Sequence, residues 1–259
     1  MKMKKTISVL LSLLVLFFAV SVVSFAEEGS VTYKTSADAI SLMIADRKDT
    51  TPIRIVPATL SRNGETQSVY IIGLLGVKDN TNQVNSGKNL FPAAFNKDNS
   101  YTDLVKSVIF RNIPEGASLV FVCHSLGGMV AQQLRTDEEL KANYEIVSVL
   151  AAGSPLILVN EDAAEGELHR LADKFDIIPF LSPATIRCFK KQIGTAHRED
   201  GGYLFDPDGA HNLSYLRNDV WGEYDALGVK GGNAVLSFSM ADVRIFGVVP
   251  KTSGLGSGE

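Results

Sequence analysis

The chain has 259 residues, of which 45% are hydrophobic and 21% charged, with a net charge of -4. That suits one large packed domain or two small ones and excludes disordered, collagen-like and coiled-coil classes. With 25 Lys and Arg against 29 Asp and Glu there is no basic excess to suggest a nucleic-acid partner, and two cysteines cannot build a disulfide scaffold or a four-Cys zinc site.

Residues 1-26 read as a secretory signal peptide. Lys2, Lys4 and Lys5 precede an apolar run from Ile7 to Val23, and Ser24-Phe25-Ala26 ends in a small-x-small cleavage pattern. The competing reading is an N-terminal membrane anchor, disfavoured because polar Glu27-Glu28-Gly29-Ser30 follows at once. Removing three Lys leaves 22 basic against 29 acidic residues, a net of -7. The expectation is a secreted, acidic protein with no membrane span: one domain over residues 27-250 and a flexible Gly/Ser-rich tail over 251-259. Cys123 and Cys188 are expected to be buried free thiols rather than a disulfide.

Along the mature chain, Ser68 to Val77, Ser118 to Cys123 and Ile146 to Ala152 are continuous apolar runs, as strands buried on both faces of a parallel sheet require. Asp103 to Phe110 and Gly128 to Lys141 carry apolar residues at helical spacing. The alternation predicts an α/β fold. Asp79 to Ser100 reads as a long polar loop around an apolar island, Leu90 to Phe95, that could cap a site. Val235 to Met240 and Val243 to Val249 read as edge strands.

The most informative segment is Leu119 to Met129, in which an apolar strand runs into His124-Ser125-Leu126-Gly127-Gly128 and then a helix. A sharp strand-to-helix turn pushes a serine hydroxyl out of the sheet, and small neighbours let strand and helix approach. The helix N-terminus beneath offers backbone N–H groups to a developing oxyanion. Ser125 is therefore the predicted nucleophile and the Leu126 amide one predicted oxyanion donor. Cys123, on the strand side of the turn, is the alternative nucleophile. A serine needs a base and the base an acid, in the chain order Ser, acid, His. Only His169, His197 and His211 follow Ser125, and His169 has few acids ahead of it. His197, flanked by charge and glycine, reads as a solvated hairpin tip, and His211 as a turn leading into a short apolar segment. His124 is expected to pack beneath the turn.

The His-Ser-Leu-Gly-Gly run resembles the class 3 (fungal-type) lipase family of the α/β-hydrolase superfamily, and the likeness extends in four short motifs from about Ser68 to Tyr215. It implies an α/β-hydrolase fold, a mostly parallel central sheet with helices on both faces. It also implies a secreted carboxylic-ester hydrolase acting on acyl-ester or lipid substrates at a lipid-water interface, with no cofactor or metal. His211 corresponds to the family's catalytic histidine. The Asp173-Lys-Phe-Asp-Ile-Ile-Pro179 segment resembles its Asp-x-Val-Pro turn and puts the acid at Asp176, with Asp173 as runner-up. By position, Val77 would supply the second oxyanion amide. Position 123 is Cys where the family has Gly, and the Arg and hydroxyl residue of its oxyanion loop are absent. One missing donor can cost about 3 kcal/mol of transition-state stabilisation, which implies a slower enzyme. The apolar loops Pro155 to Val159 and Ile177 to Leu181 would favour an acyl chain. A different acyl bond, in a phospholipid, thioester or acetylated polymer, is one alternative, and a non-catalytic binding module on the same fold is another.

Overall fold

The computed structural model describes residues 29-45, 50-78, 83-182 and 196-247. The signal segment, the C-terminal tail and Cys188 lie outside them. The described residues from Val31 onward group as one compact unit.

Among the described residues, nine strands form one mixed sheet. In chain order they are β1 (Ser30–Tyr33), β2 (Ile53–Arg62), β3 (Glu65–Leu74), β4 (Ser118–His124), β5 (Glu145–Ala152), β6 (Glu167–Asp173), β7 (Ala196–Glu199), β8 (Val235–Ser239) and β9 (Arg244–Phe246). They are ordered β1-β8-β2-β3-β4-β5-β6-β7, with β9 also on β2. Strands β3 to β7 run parallel, and β2 joins β3, β8 and β9 antiparallel. The mostly parallel α/β sheet expected from the apolar runs is present.

The period of the strands separates two cores. From β4, Leu119, Phe121 and Cys123 pack against helices α3 (Ser100–Asn112) and α4 (Leu126–Leu134). Val120 and Val122 pack on the opposite face with α1 (Ser36–Ile44), Tyr215 and Trp221. Local chemistry starts the helices where it should: Thr35 and Asp38 form a capping box on α1, and the Asn99 carboxamide oxygen accepts from the first amides of α3.

Several expectations need correction. The helix expected over Gly128 to Lys141 is two, α4 and α5 (Glu138–Asn143), because the Asp137 carboxylate accepts from Leu140 N and starts a new helix. The stretch expected as an irregular loop from Asp79 contains the short helix α2 (Leu90–Ala94), anchored by buried Ala93 and Ala94. Strand β8 is not an edge, because β1 lies outside it. His197 lies in β7, not at a hairpin tip. A hairpin turns instead at Asn63-Gly64, both at positive φ (55° and 83°), the conformation that favours Asn-Gly between two antiparallel strands.

Candidate active site

The carboxyl ends of four adjacent parallel strands converge, the place where open α/β sheets leave a crevice. Val77 follows β3, Ser125 follows β4, Gly153 follows β5 and Asp176 follows β6. Ser125 has φ 53° and ψ -122°, a left-handed conformation for a residue with a side chain. Such strain persists only where the surroundings enforce it. The enforcement is visible: Ser125 N donates to Ala152 O at 3.0 Å, and α4 begins at the next residue. Gly127 lets that helix sit on β3, since a Cβ there would lie 2.3 Å from Leu74 O. Leu126 is the first residue of α4, where the N–H has no partner within the helix.

His211 lies on a π-helical turn (Gly209–Leu213), a rare backbone form that recurs at functional sites. Its Nε2 accepts from the Ser125 hydroxyl at 3.0 Å, and its Nδ1–H donates to Asp176 Oδ2 at 2.9 Å. The structure thus joins Ser125, His211 and Asp176 in one chain of hydrogen bonds. The order of donors fixes the neutral imidazole in the tautomer whose Nε2 lone pair faces the serine. A proton leaving Ser125 has an acceptor, and the resulting imidazolium has a carboxylate beside it.

Asp176 is buried, as is Asp173, so neither is the solvated charge that a strand end alone would suggest. Their roles differ. Asp173 is saturated by Phe175 N, Gly201 N and the Ser214 hydroxyl at 2.6 to 2.8 Å, and it ties β6 to the segment just after His211. Asp176 takes Ile178 N on Oδ1, leaving Oδ2 for His211 and the Tyr215 hydroxyl, which donates to it at 2.7 Å. Burial and the charge of Asp176 push the Tyr215 phenol well above its ordinary range, so it stays a donor. Tyr215 is a residue that the sequence reading left without a role; its spacing of four from His211 was the available signal. Gly153 is another. It has φ +61°, and a Cβ there would crowd the Tyr215 ring, Asp176 Oδ2 and His211 Cε1 at 3.0 to 3.2 Å.

The competing candidates lie elsewhere. The His197 ring packs on Tyr224, and His169 bonds Glu167 at 3.1 Å. Cys123 is a free thiol, fully buried in the core, and burial pushes its pKa up, away from a reactive thiolate.

His124 is buried beneath the relay, and its Nε2–H donates to His211 O at 2.7 Å. Burial first, and the neighbouring His211 second, push its pKa down to about 3. The unfolded chain therefore binds a proton here that the folded chain refuses between about pH 6.5 and about pH 3. The contribution of this residue to stability is present above pH 6.5 and is expected to fall by up to about 1.4 kcal/mol per pH unit on acidification. Urea titrations at pH 7, 5 and 4 should show a shallower pH dependence in His124→Gln than in the wild type. Equal slopes would refute this account.

A cleft of about 300 Å³ opens over Ser125, His124 and His211. Its apolar wall includes Ile44, Val77, Leu90, Pro155, Ile178 and Leu181. Of the two loops expected to line it, some residues do and some do not: Ile157 and Pro179 are buried, whereas Ile177 is exposed. Leu90 of α2 forms part of the wall, while Phe91 and Phe95 are exposed. Among the described residues no group of three or more His, Cys, Asp or Glu side chains could hold a metal ion, and no helix is long and apolar enough to cross a membrane. Comparison with protein-family models, with curated proteins and with solved structures finds no match.

Proposed function

We propose that the protein is a secreted serine carboxylic-ester hydrolase of the lipase or esterase type on an α/β-hydrolase fold. The observation that carries this reading is the unbroken Ser125–His211–Asp176 hydrogen-bond chain beneath a cleft, with Ser125 held at φ 53° between strand and helix. The His-Ser-Leu-Gly-Gly resemblance to class 3 lipases points the same way.

In this mechanism His211 Nε2 takes the Ser125 proton as the oxygen attacks the ester carbonyl. The oxyanion faces the amides of Leu126 and Val77, and Asp176 stabilises the imidazolium. Collapse of the tetrahedral intermediate breaks the ester C–O bond, and His211 returns the proton to the departing alkoxide. Water, deprotonated by the same imidazole, then releases the acid and restores Ser125. No cofactor or metal enters any step. The apolar cleft wall favours an acyl chain over a sugar or a charged peptide.

A fluorophosphonate probe tests the reading directly. The native protein is expected to take up one phosphonyl group, mapped by mass spectrometry to Ser125, and the heat-denatured protein none. No adduct under native conditions would leave a binding module. In a series of p-nitrophenyl esters from acetate upward, activity confined to acetate would eliminate the lipase form of the proposal.

A further inference from the structure

In the segment Leu75 to Lys78, which carries β3 into the cleft, four backbone polar groups are claimed. Leu75 N donates to Pro52 O at 2.9 Å, and Leu75 O accepts from the buried Tyr101 hydroxyl at 3.0 Å. Gly76 O accepts from Asn85 Nδ2 at 3.0 Å, and Lys78 N donates to Asn85 O at 3.1 Å. Asn85 is fully buried and takes no part in the cleft wall, and its Nδ2 also reaches Thr50 O at 3.4 Å. Among the described residues the Val77 N–H meets no acceptor.

The Gly76–Val77 peptide is trans, so its C=O and N–H point in opposite directions. Pinning Gly76 O towards buried Asn85 therefore turns the Val77 N–H away from Asn85, and Val77 and Ser125 line the cleft whereas Asn85 does not. The approach is close: a Cβ on Gly76 would lie 2.7 Å from Ser125 Cβ. Rotating the peptide would instead bring a carbonyl oxygen to the place where negative charge develops. The Asn85 Oδ1 is buried without a hydrogen-bond partner, so the side chain is held by its donor end alone.

The geometry points to Asn85 as a positioning residue that clamps the Gly76–Val77 peptide and so aims the second oxyanion donor. The inference rests on the ester-hydrolase reading above.

Paired substrates, a p-nitrophenyl ester and its thionoester, test it. A thiocarbonyl sulfur accepts hydrogen bonds poorly, so an intact oxyanion hole favours the oxygen ester and a damaged one discriminates less. In Asn85→Ala, and in Asn85→Asp, which keeps the shape without the donors, kcat/KM for the oxygen ester is expected to fall roughly 100-fold. The thionoester should lose far less. Equal losses on both substrates would make Asn85 merely structural and overturn the inference, as would no loss at all. Should neither variant fold, the crystal structure of the phosphonylated wild type decides: a phosphonyl oxygen at about 3 Å from Val77 N supports the clamp, and one remote from it refutes it. A wild type inert to ester and phosphonate alike would remove the hydrolase reading and the clamp together, an outcome distinct from an active wild type with unaffected variants.

Discussion

Ser125→Ala and His211→Ala are each expected to lower kcat for ester hydrolysis by about 10,000-fold or more, and the double variant to fall no further than the weaker single one. The reason is geometric. The Ser125 hydroxyl is useful only while His211 Nε2 stands 3.0 Å away to take its proton, and an imidazole without the hydroxyl has nothing to activate. Residual turnover would come from substrate binding and the oxyanion amides, which neither substitution touches. Steady-state kinetics on the three variants, with thermal melts to show that each is folded, provide the measurement. Losses that multiply in the double variant would mean that the two side chains act independently, and would end the triad assignment even if both singles are slow.

Gly127→Ala is expected to be the most damaging single-methyl addition in the site. The new Cβ would stand 2.3 Å from Leu74 O and 2.6 Å from Leu74 C, which are backbone atoms of a central strand and cannot rotate away. Either α4 lifts off β3, taking Leu126 N and the Ser125 turn with it, or the sheet deforms. A cost of about 3 kcal/mol follows, with loss of the proposed esterase activity in whatever remains folded. The control is Gly87→Ala, where a Cβ would meet nothing within 4 Å and the change should lie within about 0.5 kcal/mol. Urea unfolding of both variants gives the comparison. A Gly127→Ala protein as stable and active as the control would show that the close strand–helix contact has no part in building the turn.

The same turn was legible in the sequence because every signal for it is local. An apolar strand, a serine, two glycines and a helical period lie within eleven residues, and each acts on its neighbours. The buried strands β3, β4 and β5 were legible for the same reason, as continuous apolar runs. The break between α4 and α5 was missed because apolar spacing carries across it, while the cap at Asp137 acts through a single hydrogen bond. The Asn63-Gly64 hairpin has its signal in a single dipeptide, which apolar periodicity does not register. The place of β8 inside the sheet could not be read locally, since it depends on β1, some 200 residues earlier in the chain.

Local patterning by itself therefore determined the layered α/β architecture and the serine held out at the end of β4. Chain order narrowed the base to three histidines, and the family resemblance narrowed the acid to Asp176 or Asp173. The family resemblance singled out Asp176 and His211, but only the tertiary structure brings them to Ser125, because Asp176 and His211 are 35 residues apart in the chain, His211 and Ser125 86, and no periodicity spans such distances. What brings them together is the register of parallel strands, which delivers the ends of β3, β4, β5 and β6 to one crevice. Tyr215, Gly153 and Asn85 acquire roles only there, where a hydroxyl, a missing Cβ and a buried amide meet groups far away in sequence.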